Sequence, residues 1–409
     1  MKLLLSAYAC APNRGSEPGV GWNWAVEISR LGHEVWVLTR ATNRPQIEAE
    51  ISKHPPQGNL NFLYYDLPKW ARWWKRGPRG IHLYYFLWQI GAYRFAKKAH
   101  DRTRFEQVQH ITFVSIRQPS FMGGLGIPFI FGPVAGGERA PLKLRSGAGF
   151  KGWIKDAVRD LANVYVGIDP FVRHTARQAE RIIATSDETA ALLPAKFRSK
   201  TDVHLAIGID TEETKNETKK RPDIDQRKSG TSILFVGRLL YVKGMHLGVA
   251  AFARFQAQVP EARLTIVGEG PEERRWRKMA DRLGVSQNIE WIPWLPQNEL
   301  MEVYEHHDVL MFPSLHDSGG TVVLEAMARG LPVVTLDIGG PGRIVDETCG
   351  VVVETKSVDR SAVEAALGNA LEHLSSNPKE LNRLSKGARR RSSRFSWPSV
   401  VGRLYSPVG

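Results

Sequence analysis

Cysteine is nearly missing from this chain: Cys10 and Cys349 are the only two in 409 residues. Two thiols cannot build a disulfide framework, which points to a reducing compartment, the cytoplasm. Long apolar runs are missing as well, and nothing approaches the roughly 18 apolar residues of a membrane span. The first ten residues, Met1 to Cys10, hold an apolar run only as long as a strand, with Pro12 to Gly19 close behind. A buried first strand is expected there, not a leader. Acidic charge is in deficit: 42 Asp and Glu stand against 56 Lys and Arg, a formal net charge of +14. That surplus suits nucleic acid, anionic lipid or a phosphorylated small molecule, and does not choose among them. The basic residues Arg389, Arg390, Arg391 and Arg394 have few aromatics between them and no nucleic-acid-binding motif around them, so nucleic acid is not expected as a partner.

What is present is the composition of a globular protein, 42% hydrophobic and 24% charged, with length enough for two full cores. Short β-branched and aliphatic runs alternate with longer helical patterns, the pattern of α/β domains with parallel sheets. In the first half strands are expected at 2–9, 34–39, 61–66, 108–112, 129–131, 181–185 and 203–207. In the second half they are expected at 232–237, 263–268, 289–293, 309–313, 332–336 and 350–353. Residues 211–230, rich in Lys, Glu, Asp and Thr and nearly free of large apolar side chains, read as a linker. The expected plan is two Rossmann-like domains facing across a cleft, over 1–210 and 231–385, with a terminal segment over 386–409. Ligands of such sheets bind where the strand-to-helix loops converge.

The strongest motif runs from Pro313 to Pro332. A strand ends at Pro313, Gly319 and Gly320 form a turn, and a helix is expected from Thr321 to Arg329, stopped by Gly330. The glycines let backbone approach a ligand closely, and the helix amino terminus, with Ser318 and Thr321 beside it, offers free N–H groups to a diphosphate. Asp317 and Glu325 bracket that turn, two carboxylates able to accept hydrogen bonds from sugar hydroxyls. A second motif, Phe235-Val236-Gly237-Arg238-Leu239-Leu240-Tyr241-Val242-Lys243-Gly244, follows another strand. Its Arg can fork onto two phosphate oxygens, and its Lys supplies a point charge.

The acidic stretch resembles the E-x7-E signature of retaining glycosyltransferases of family 4, the group 1 superfamily of GT-B fold, with Asp317 where the first Glu usually stands. The resemblance implies transfer of a sugar from a nucleotide-diphosphate sugar to a hydroxyl acceptor, a saccharide or a lipid-linked one in surface polysaccharide assembly. It implies no metal and no cofactor beyond the co-substrate. Arg238 and Lys243 would bind the donor diphosphate, Glu325 the ribose and Asp317 the sugar. Gly268, in Val267-Gly268-Glu269-Gly270, either admits the nucleotide or makes a tight turn. Trp294 either lies near the base or packs in the core.

Arg14, Gly15, Ser16, Glu17 and Gly19 resemble the family's amino-terminal glycine-rich loop, which faces the donor phosphates and the acceptor. The G-x-G-x-x-G spacing of a dinucleotide site is absent there. The chain lacks the family's histidine in the turn after Phe131, where it reads Gly132-Pro133-Val134-Ala135-Gly136-Gly137-Glu138-Arg139. Glu138, His110 and Arg117 are the candidates to replace it on the acceptor side, Glu138 among the catalytic residues with Asp317 and Glu325. The end of the chain, Phe395 to Tyr405, resembles the family's terminal helix, which crosses back to the first domain. An epimerase or a sugar phosphorylase on the same fold is the alternative enzyme.

Two further features bear on partners. Asp223-Ile224-Asp225 lies in a charge run and reads as solvated, not as a metal site. Residues 69–79 interleave Lys69, Arg72, Lys75, Arg76 and Arg79 with Trp70, Trp73 and Trp74. Such a mix favours the headgroup region of an anionic bilayer, here the inner face of the cell membrane. The apolar residues 81–93 after it either dock there or pack in the core.

Overall fold

Among the described residues thirteen strands form, close to where the β-branched runs predict them. The computed structural model describes residues 1–75, 77, 80–147, 149–210 and 231–405. Those residues divide into two compact units: Met1–Gly137 with Asp160–Ile207 and Trp397–Gly409, and Glu138–Arg159 with Gly208–Ser396. The expected linker 211–230 lies outside the described residues.

In the first unit the strands are β1 (Lys2–Ala7), β2 (Glu34–Thr39), β3 (Leu60–Tyr64), β4 (Gln107–Thr112), β5 (Phe129–Val134), β6 (Arg181–Ala184) and β7 (Thr201–Val203). They form one sheet in the order β3-β2-β1-β4-β5-β6-β7, with every pairing parallel. Leu3, Leu4 and Leu5 are buried, as a strand covered on both faces requires. The expected strand at 203–207 stops early for a local reason. The Ala206 carbonyl takes its hydrogen bond from Trp24 Nε1 at 2.8 Å, so a side chain replaces the next rung of the ladder. The segment 81–93 begins a long helix, Ile81–Thr103. Tyr84, Tyr85, Trp88 and Ala92 are buried in it, with Tyr85 stacked on Phe113 at 4.6 Å. That stretch therefore packs in the core and is not a docking surface.

The second unit repeats the plan with β8 (Ser232–Val236), β9 (Arg263–Val267), β10 (Ile289–Ile292), β11 (Val309–Phe312), β12 (Val333–Leu336) and β13 (Gly350–Val353). Their order is β10-β9-β8-β11-β12-β13, again with parallel pairings. In both sheets the strand order, not the strand direction, reverses beside the first strand, between β1 and β4 and between β8 and β11. Loops leaving the carboxyl ends of those two strands diverge to opposite sides, which opens a crevice for ligand.

The residues 138–159, expected within the first domain, cluster with the second unit. Lys143 Nζ donates to the Ser357 carbonyl at 3.3 Å, and the buried Arg145 lies 3.8 Å from the buried Asp156. The terminal helix Trp397–Tyr405 clusters with the first unit, where the Val400 carbonyl lies 2.8 Å from His204 Nε2. Among the described residues no helix is long and apolar enough to cross a membrane.

Candidate active site

The two motifs of the second unit leave neighbouring strands, and their loops are sewn together by backbone. Gly244 has φ +72, and a Cβ on it would overlap the Pro313 carbonyl. With no side chain in the way, Leu315 N donates to the Val242 carbonyl at 2.8 Å and Ser314 Oγ to the same oxygen at 3.2 Å. This contact carries Lys243 to Asp317, Nζ to Oδ2 at 2.5 Å. The other Asp317 oxygen accepts from the N–H groups of Gly319 and Gly320 at 3.0 and 2.9 Å. Burial would raise this carboxyl, but the Lys243 charge and hydrogen bond, with the two N–H groups, hold it below the usual aspartate value. Asp317 thus folds back onto its own loop and onto Lys243. A side chain one methylene shorter than Glu suits that inward position.

Glu325 sits one turn into the helix Thr321–Ala328, which starts from Gly320 at φ +79. Its oxygens accept from Gln297 Nε2 and from the hydroxyl of the fully buried Tyr304, each at 3.0 Å. Burial pushes its carboxyl above the usual value, and these two hydrogen bonds act in the opposite sense. Both partners come from the helix Gln297–Glu305. Ser318, Gly319 and Thr321 are half-buried around the same turn. Arg238 is exposed, and its guanidinium has no partner among the described residues.

Two further positions have their surroundings defined by the structure. A Cβ on Gly268, at φ +134, would overlap the Gly237 carbonyl, and one on Gly270 would overlap that of Leu239. Leu239 N donates to the Glu269 carbonyl at 2.8 Å, and Glu272 N to that of Leu239 at 3.1 Å. The glycines of that turn are accounted for by the support they give the Gly237–Leu239 loop. Trp294 is 71% exposed, so it is not a core side chain.

Sequence reasoning missed several residues around this site. Gly340 N donates to the Asp317 carbonyl at 2.9 Å, and Gly339, at φ +61, has that carbonyl where a Cβ would sit. The signal was the run Gly339-Gly340-Pro341-Gly342 directly after β12. Tyr304 and Gln297 had none, because the contact with Glu325 is tertiary. His316 also went unremarked; its Nδ1 lies 3.0 Å from the carbonyl oxygen of Glu138. Glu138 itself is fully buried in the second unit, its Cγ 3.1 Å from where a Gly339 Cβ would stand. It therefore lies beside the Asp317 loop and not in the first unit.

In the first unit Arg14, Gly15 and Ser16 are exposed before the helix Ser16–Arg30, with Ser16 at φ +60. Gly19 leaves room for the Arg14 carbonyl, so it serves the return of the loop. Glu17 accepts from Val114 N and so joins the loop after β1 to the one after β4. Burial raises its carboxyl, against the pull of the Val114 N–H and of Arg40. Two expected acceptor contacts do not fit. His110 is fully buried, its Nε2 3.1 Å from the Phe113 carbonyl, and burial lowers it to about 4. It is a neutral core histidine. Arg117 spends its guanidinium on the Asn163 side chain, at 2.9 Å from Nε, and on the Gly136 carbonyl at 2.5 Å. Among the described residues no three His, Cys, Asp or Glu side chains gather as around a metal ion. Asp223 and Asp225 lie outside those residues.

The sequence profile of a family described as glycosyl transferases group 1 matches residues 216–391. A D-inositol 3-phosphate glycosyltransferase from Segniliparus rotundus is 32% identical over 189 residues, covering 45% of this chain and 41% of that protein. A glycogen synthase from Mycobacterium tuberculosis is 32% identical over 177 residues, covering 43% and 41%. The chain therefore spans less than half the length of these curated relatives. Sucrose-phosphate synthase from Thermosynechococcus elongatus has the same fold at a TM-score of 0.64 and 17% identity, over 99% of this chain and 98% of its own. HepE from Anabaena, solved in complex with UDP, matches at 0.60 and 15%, over 98% of each chain. The shared fold is GT-B.

Proposed function

We propose that this chain, whose residues 216–391 belong to the glycosyl transferases group 1, moves a sugar from a nucleotide-diphosphate sugar to a hydroxyl acceptor with retention at the anomeric carbon. The observation that carries the reading is the pairing of Lys243 with Asp317 at 2.5 Å, where the loops after β8 and β11 meet. Glu325, in the helix that follows the Asp317 loop, is fixed by Gln297 and Tyr304, and Arg238, in the Lys243 motif, has no side-chain partner among the described residues. Arg238 and Lys243 take the diphosphate, with the N–H groups at the start of the Thr321–Ala328 helix as further donors. Those charges stabilise the leaving diphosphate as the glycosidic bond breaks, the part a divalent ion plays elsewhere. Glu325 accepts from ribose hydroxyls. The acceptor attacks on the face the diphosphate leaves, and the departing phosphate takes its proton, so no enzymic nucleophile is required.

Asp317 acts here mainly as the group that positions Lys243 and the loop glycines. A lipid-linked saccharide in surface polysaccharide assembly, met at the inner face of the cell membrane, is the acceptor class proposed. Support comes from Trp70 and Trp73, 78% and 77% exposed between Lys69, Arg72 and Lys75. Arg76, Pro78 and Arg79 of that patch lie outside the described residues. Uridine diphosphate sugars are the first donors to test, given the UDP in HepE. The test is release of nucleotide diphosphate from a panel of donors with and without saccharide acceptors. Release that depends on acceptor supports transfer, and turnover of the donor with no diphosphate released points instead to an epimerase.

A further inference from the structure

The helix Gly149–Val166 is built inside out. At 3.6 residues per turn, Trp153, Ile154, Val158, Leu161, Val164 and Tyr165 share one broad arc, and their exposures run from 41% to 72%. The opposite arc carries Asp156, Arg159 and Asn163. Asp156 and Asn163 are buried, and Asp156 pairs with Arg159 at 2.9 Å. A surface helix in water has the reverse arrangement, its apolar stripe inward and its charges outward. Isolated exposed apolar residues need no explanation, but a contiguous row of six does.

Ile168 and Phe171 extend the apolar surface past the end of the helix, 64% and 48% exposed. The Phe171 ring packs on Phe86 at 5.2 Å, near the start of the helix Ile81–Thr103. Trp74 of the Trp70–Trp73 patch packs on Tyr84 at 6.5 Å in the same stretch. Phe171 and Trp74 are thus both seated within one turn of a single helix of the first unit.

We propose that Gly149–Val166 is a membrane-interface helix, lying in the plane of an anionic bilayer with its outward row among the acyl chains. Charge selects this occupant. A second copy would bring another +14 against the first, whereas an anionic surface is attracted by it. The row also has the order that suits an interface, with Trp153 at one end, Tyr165 at the other and aliphatic residues between them. The inference stands apart from the transferase reading, because it needs no donor site.

The test is flotation of the full chain with vesicles of phosphatidylglycerol and phosphatidylcholine, against the double substitution Val158→Gln and Leu161→Gln. Both changes are neutral and at exposed positions, so they alter apolar seating and not charge. The parent is expected to float with anionic vesicles, and the variant to partition about tenfold more weakly or worse while melting at the same temperature. Equal flotation of the two, or equal binding of the parent to pure phosphatidylcholine, would overturn the proposal. So would a lipid-free dimer that the double substitution dissolves. Should the variant not fold, the parent still decides. Lipids brominated near the headgroup should quench part of its tryptophan emission, and Trp153→Phe should lose that part; no loss overturns the proposal.

Discussion

Arg238 and Lys243 carry the same charge in one motif, yet the structure gives them different consequences on removal. Arg238 is exposed and has no side-chain partner among the described residues, so Arg238→Ala should leave stability within about 0.5 kcal/mol while costing about 1.5–3 kcal/mol of diphosphate binding. Lys243→Ala strands the half-buried Asp317 carboxylate and should destabilise by about 1–3 kcal/mol as well. Denaturant midpoints beside nucleotide-diphosphate titrations check the pair. Glu325 separates in a similar way: Ala leaves the Tyr304 hydroxyl without an acceptor, while Gln keeps an oxygen for it. Glu325→Gln should therefore melt near the parent temperature, and Glu325→Ala several degrees lower. His110 gives a pH signature. Its folded-state value is near 4 against an ordinary 6.5, so below pH 6.5 the unfolded chain takes up a proton the folded one refuses. Stability is thus full above pH 6.5 and falls as pH drops toward 4, with about 3 kcal/mol at stake. His110→Gln should remove that share of the slope in chemical unfolding measured across the range.

At the scale of elements, strands and motif loops were legible because their signals are local. Buried parallel strands read as short β-branched runs, and Gly237, Gly244, Gly320 and Gly330 fall where the chain turns. What local signals could not show is which groups an element faces. The helix Gly149–Val166 has a clean apolar period, but periodicity does not say that its apolar side looks outward. Gly268 was ambiguous for the same reason, since a close neighbour of backbone and a close neighbour of nucleotide both call for glycine. Its neighbour is the Gly237 carbonyl. Gly268→Ala should therefore force the loop apart, costing more than about 2 kcal/mol and weakening donor binding. Gly284→Ala is the control: φ is +74, but nothing lies within 4 Å of the added carbon, so only about 1 kcal/mol is expected. Thermal melts of the two variants, with and without nucleotide diphosphate, compare them.

Over the whole molecule the two halves differ in how far sequence could be read. The second unit is legible because its cations, glycines and carboxylates sit in short motifs directly after strands, and the family match falls there, on residues 216–391. The first unit, where acceptor contacts were expected, offers no such motif. Its expected histidine is missing, His110 turned inward and Arg117 was taken up by Asn163 and Gly136. Glu138 went over to the second unit through packing that no local pattern announces. Thermal unfolding across a panel of nucleotide-diphosphate sugars reads donor binding by itself, with no acceptor needed. At least one donor should raise the melting temperature of the parent and leave those of Glu325→Ala and Arg238→Ala unmoved. If no donor raises it, or if Glu325→Ala responds as the parent does, these residues do not form a nucleotide-sugar site.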